Sequence, residues 1–97
     1  SITDFTFLTQ RTTSVDEVNQ MFIDASQSPL YRHVLAVTQE PLVSSDIIGR
    51  PESAIVDLEL TRVVDGDLVK IMAWYDNEWG YANRLIEQVI SAGESLS

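Results

Sequence analysis

The 97-residue sequence contains no cysteine. Disulfides, zinc–thiolate centres and a cysteine nucleophile are therefore excluded for this chain. Positive charge is almost as scarce: Lys70 is the only lysine, and the formal net charge is −9. Nucleic acids and anionic membranes are read with basic patches, so neither is expected as a partner; the acidic balance serves solubility. No apolar run approaches the roughly 20 residues that span a bilayer. The opening "SITDFTFLTQ" lacks the basic start and long apolar core of a signal peptide. It begins directly in a strand-like pattern without an initiator methionine, as an excised piece of a longer protein would. With 44% apolar residues, the chain has the composition of one ordinary small domain, and no linker or repeat divides residues 1–97.

Residues 2–10 are β-branched and aromatic. Phe5 and Phe7 fall on one face and Ile2, Thr6 and Leu8 on the other, which predicts a strand covered at least partly on both sides. In "TTSVDEVNQMFIDASQSP", Ser14 and Glu17 have the spacing of a capping box. Val15, Val18, Met21, Phe22 and Ala25 recur with helical period until Pro29 ends the run. "HVLAVT" predicts a short second strand. "QEPLVSSDIIGRPES" carries two prolines, a glycine and a Ser-Ser-Asp cluster, and reads as loop. "SAIVDLELTRVV" and "LVKIMAWY" flank Asp65-Gly66 as the arms of a hairpin, with Ala54, Val56, Leu58 and Leu60 on one face and Asp57 and Glu59 on the other. Tyr81, Leu85, Ile86, Val89 and Ile90 then mark an amphipathic final helix, with Gly93 as its expected stop. The order β-α-β-loop-β-β-α predicts an α+β fold: an antiparallel or mixed sheet with two helices packed on one face.

Few residues carry a chemical pattern. His33 is the sole histidine, but it opens an apolar strand far from any nucleophile motif, so a packing or surface role is expected. Asp46, behind Ser44 and Ser45, offers too few ligands for a metal or phosphate and suits a loop brace. Asp65 and Asp67 need no role beyond the turn. In "AWYDNEWGYANR", Asp76 or Asn77 can cap the helix and Glu78 suits its positive end. Capping does not explain Trp74, Tyr75, Trp79 and Tyr81 crowding one turn. Tyrosine and tryptophan at a polar turn can form a wall, packed on one side and offering hydrogen bonds on the other.

The block "WYDNEWGYANR" resembles the signature near the carboxyl end of glyceraldehyde-3-phosphate dehydrogenases. Its neighbours "PLVSSD", "SAIVD", an "LT" segment and "DGDLVK" follow that family's order and spacing. Upstream, "TSVDEVNQMFIDASQSPL" is similar to the helix that follows a "V-D-L-T" strand, here "ITDFT". The resemblance covers essentially the whole chain and implies the carboxyl-terminal half of the catalytic domain. "RPES" stands where many relatives have a histidine-serine pair, and "LAVT" replaces Gly-Tyr-Thr; both departures are structural.

In that family an aldehyde is oxidised while bound to a cysteine, hydride passes to NAD or NADP, and phosphate attacks the thioester. The resemblance implies that the cysteine, the catalytic histidine, the anion sites and the Rossmann domain belong to a segment before Ser1. No catalytic residue and no metal is then expected in this chain, which alone should be inactive. His33 falls at an aliphatic strand position of the family and does not replace the base. Three residues carry over as cofactor-site or active-site lining. Asn77 matches the asparagine that hydrogen-bonds the nicotinamide carboxamide, Tyr81 the tyrosine lining that pocket, and Tyr75 a tyrosine bordering the catalytic centre. The parent is expected to be a cytoplasmic homotetramer acting on a phosphorylated aldose and phosphate. Erythrose-4-phosphate dehydrogenase is the alternative within the fold, and a non-catalytic interaction module the alternative outside catalysis.

Overall fold

A computed structural model of the chain describes residues 2–39, 54–75 and 79–95. The central strand is β5 (Leu68–Tyr75), rich in β-branched and aromatic residues. β1 (Ile2–Leu8) runs antiparallel along its whole length, from Ile2 opposite Trp74 to Leu8 opposite Leu68. On its other side β5 pairs antiparallel with β3 (Ala54–Asp57) and then β4 (Arg62–Val64). β2 (Leu35–Thr38) joins β3 in parallel and completes a mixed sheet in the order β1-β5-β3-β2. The expected α+β architecture is the observed one.

Helix α1 (Val15–Gln27) starts at Ser14, whose hydroxyl accepts from the Glu17 N–H at 3.1 Å. Only this half of the capping box forms. The Glu17 carboxylate takes the Thr13 hydroxyl instead, at 2.6 Å. Helix α2 (Trp79–Ser95) crosses α1 on the same side of the sheet. There Phe5, Val69, Ile71 and Ala73 from the sheet meet Val18 and Phe22 of α1 and Ala82, Leu85, Ile86 and Val89 of α2 in one buried cluster. Alternation along β5 dictates this: its odd-numbered residues face the helices, and Lys70 and Met72 point the other way.

Four expectations need correction. The outer face of β1 is largely open, since Asp4 and Thr6 are exposed and Leu8 is 73% exposed. The first arm of the hairpin is not one strand. Between Val56↔Ala73 and Arg62↔Lys70 it advances six residues while β5 advances three. The surplus is a single 3₁₀ turn, Leu58–Leu60, begun where the Asp57 carboxylate accepts the Glu59 N–H at 3.0 Å. Asp57 is therefore buried rather than outward, and Leu60 is exposed rather than in the core. Ile55 is also buried, on the opposite face from the helices, in register with Trp74 and Ala36. Finally, Gly93 does not stop α2, which continues to Ser95. It packs against Met21, and a Cβ at this position would stand only 2.6 Å from that side chain. The expected loop around Ser44, Ser45 and Asp46, and the caps Asp76, Asn77 and Glu78, lie outside the described residues.

The hairpin turn forms as expected. Asp65 and Gly66 both have positive φ, 55° and 82°, the type I′ combination. The turn is also pinned from outside, because the Thr13 N–H donates to the Gly66 carbonyl at 2.7 Å and the Thr9 N–H to the Asp67 carbonyl at 2.9 Å. An added Cβ at Gly66 would meet the Thr12 methyl at 3.3 Å. Gly66→Ala should therefore cost about 1–2 kcal/mol, the left-handed penalty of an L-residue. Urea denaturation measures this, and an unchanged midpoint would show that the turn relaxes freely.

Candidate functional site

The aromatic turn singled out in the sequence is divided by the sheet. At the end of β5, Tyr75 turns toward the helices and meets Phe5 edge-on, with ring centroids 6.1 Å apart and planes at 64°. It is half-buried against the main core. Trp74, one residue earlier, must face the other side. Its indole N–H is buried there and has no hydrogen-bond partner among the described residues. A buried donor left unpaired costs about 1–3 kcal/mol, so Trp74 is held by its packing and not by its polar atom.

Tyr81 stands in the first turn of α2 and is 38% exposed. It lines a cleft of about 220 Å³ together with Arg84, Gln88 and, from the turn ahead of β2, Tyr31. Helical spacing places Tyr81 and Arg84 on one face, three residues apart. An alanine-sized Cβ at Gly80 would lie 3.8 Å from Arg84 Nη1, so the guanidinium folds back toward the start of the helix. The cleft thus brings together a tyrosine from each of two elements and one guanidinium. Planar groups can stack on such rings, and polar ones can bond the hydroxyls and guanidinium. Tyr75 is not among the residues lining this cleft. Asn77 and the side chain of Trp79 lie outside the description.

Tyr31 and Arg84 were not singled out in the sequence. The three-residue step from Tyr81 to Arg84 could have shown Arg84. Tyr31 lies too far along the chain for any local pattern to connect it. It is fixed by its own turn, where its carbonyl accepts the Val34 and Leu35 N–H groups at 2.9 Å each. His33 sits exposed in that turn and accepts from Arg32 Nε at 3.3 Å, a surface arrangement with no nucleophile beside it. Among the described residues no group of three or more histidines and carboxylates could hold a metal ion, and no helix is long and apolar enough to cross a membrane.

Residues 1–77 match the family model described as glyceraldehyde 3-phosphate dehydrogenase, C-terminal domain. The chain belongs to this family. Over 96 residues it is 49% identical to glyceraldehyde-3-phosphate dehydrogenase 2 of Streptomyces arenae, a match that takes in 99% of the chain. Glyceraldehyde-3-phosphate dehydrogenase 1 of Streptomyces avermitilis is 46% identical over the same share, and the Zymomonas mobilis enzyme 41%. The chain spans 28% of the length of each of these relatives. The likeness to the dehydrogenases continues past residue 77, where the family model stops, and so includes α2 and its cleft.

Proposed function

We propose that the chain is the carboxyl-terminal part of a phosphorylating glyceraldehyde-3-phosphate dehydrogenase and forms one wall of its nicotinamide site. The observation that carries this reading is the match to named dehydrogenases across 99% of the chain. Tyr81, open on its cleft at the start of α2, suits a residue that lines a planar ring. In this reading the Asn77 amide, two residues ahead of α2, bonds the carboxamide and sets which ring face meets the substrate. Tyr81 supports the ring from the side, and Tyr75 borders the reacting centre from its seat on Phe5. NAD or NADP, when bound, accepts the hydride. The nucleophile, its base and the anion sites belong to the rest of the parent protein, and the chain by itself is inactive.

The same reading makes the substrate a phosphorylated aldose with inorganic phosphate, and the parent a cytoplasmic homotetramer. The exposed end of the outer sheet face supports self-association: Leu8 and Val64 flank Leu68 in one cross-strand row, and both are exposed. Sequencing the gene upstream of the Ser1 codon tests the proposal. An open frame encoding a serine-cysteine-threonine-threonine-asparagine-like motif is expected. A start codon near Ser1 with no such motif before it would leave a non-catalytic interaction module.

A further inference from the structure

Asp65 is the only aspartate in the chain that is followed by glycine. Glycine carries no Cβ to shield its nitrogen, so that nitrogen can attack the preceding carboxyl if the two groups meet. The hairpin turn decides whether they meet. Joining Gly66 N to Asp65 Cγ closes a five-membered ring whose atoms must lie nearly in one plane. Cβ must then eclipse the Gly66 nitrogen about the Asp65 Cα–C bond. An L-residue reaches that arrangement at ψ of about −120°, whereas the first central residue of a type I′ turn holds ψ at about +30°. Asp65 is that residue, with φ 55° before Gly66 at 82°. The nitrogen therefore stands about 150° away from Cβ around the bond, nearly as far as rotation allows. Turning the Gly66 peptide plane through that angle would open the loop. It would break the Asp67 N–H bond to the Val64 carbonyl at 3.3 Å and the Thr13 N–H bond to the Gly66 carbonyl at 2.7 Å. Central strand β5 begins at Leu68, directly behind the turn.

We propose that Asp65-Gly66 is an isoaspartate-forming site which the native turn holds closed, so that the modification marks only chains whose hairpin has opened. In the reaction the Gly66 nitrogen bonds to Asp65 Cγ, and the amide proton leaves with a carboxyl oxygen as water. The product is a cyclic imide. Water then adds back at either imide carbonyl. Opening at Cγ restores aspartate. Opening at the Asp65 main-chain carbonyl leaves the chain running through Cβ and Cγ, with one extra carbon in the backbone. No electrons change hands, and water is the only co-reactant. The lengthened backbone no longer fits a two-residue turn between Val64 and Leu68, which stand opposite each other in the ladder, so the mark weakens the hairpin it enters. Asp67, on the other side of Gly66, is followed by Leu68, whose side chain hinders the same attack.

The test incubates the 97-residue chain at neutral pH, folded in buffer and unfolded in guanidinium chloride. Isoaspartate is then counted in the digested peptide that contains residue 65, by mass spectrometry with electron-transfer fragmentation. The folded chain should form it at least about a hundredfold more slowly, because the opened hairpin is a minor state of a folded domain. Phe22→Ala leaves the turn untouched but raises the unfolded population, so its rate in buffer should approach that of the unfolded chain. Asp65→Asn gives a second reading, since asparagine suits the same turn and closes the same ring with loss of ammonia. Its deamidation should show the same contrast between folded and unfolded chains. The purified isoaspartyl chain should melt at least about 5 °C below the parent, the scale on which a lost turn acts in a domain of this size. Similar rates in folded and unfolded chains, for the parent or for Asp65→Asn, would overturn the proposal. So would a Phe22→Ala chain that melts early yet reacts no faster than the parent, or an isoaspartyl chain that melts as the parent does.

Discussion

Phe22→Ala should remove most of the chain's stability. The ring sits on α1 with no exposed surface, in the cluster where α1 meets β2 and α2. Truncating a fully buried phenylalanine loses its transfer energy and leaves a cavity that a close-packed core cannot refill, together about 3–5 kcal/mol. A domain this small holds little in reserve, on the order of 5 kcal/mol at the low end of the usual range. The variant should be near half unfolded in buffer, or fully so. Leu30→Ala supplies the contrast, because Leu30 is 76% exposed just beyond the same helix. Its loss should stay within about 0.5 kcal/mol. Urea titration followed by circular dichroism measures both variants, and the midpoint should fall without a change in slope. A loss below about 1 kcal/mol at Phe22 would mean that the two helices do not share a core with the sheet.

The order of elements was legible because each had a local cause. Ser14 and Glu17 mark the start of α1, Pro29 closes it, and Asp65-Gly66 can turn only where both backbones tolerate positive φ. The misreadings came from side chains that act on the backbone or across the fold. Ala54, Val56, Leu58 and Leu60 alternate as a strand should, yet Asp57 captures the Glu59 N–H and winds one 3₁₀ turn into the arm. That competition between an aspartate and the ladder leaves no trace in hydrophobic periodicity. Gly93 resembled a helix stop because glycine usually is one there. Its cause is Met21, 72 positions earlier, and no window along the chain contains both.

The site was legible in a different way. Periodicity could set Tyr81 on a helix face, and alternation could have separated Trp74 from Tyr75, since neighbours on a strand point apart. The apparent crowding of Trp74, Tyr75 and Tyr81 is thus two packings on opposite sheet faces and one open cleft. Tyr31 completes that cleft only through the fold. The role of Asn77 rests on the resemblance alone, because its residue type also suits a helix cap.

Asn77→Asp in the full-length dehydrogenase therefore tests the account most directly. Aspartate and asparagine cap a helix about equally well, so a capping residue would lose at most a few tenths of a kcal/mol. A residue that holds the carboxamide would lose its amide donor and gain a carboxylate beside the ring. Losing one such hydrogen bond is worth about 1.5–3 kcal/mol, or about tenfold and more in binding or rate. The measurement is the steady-state kinetics of the cofactor, with a thermal melt on the same sample. A protein that melts as the parent does but has lost about tenfold or more in cofactor affinity or hydride transfer is the predicted result. Unchanged cofactor kinetics in an equally stable Asn77→Asp enzyme would contradict it.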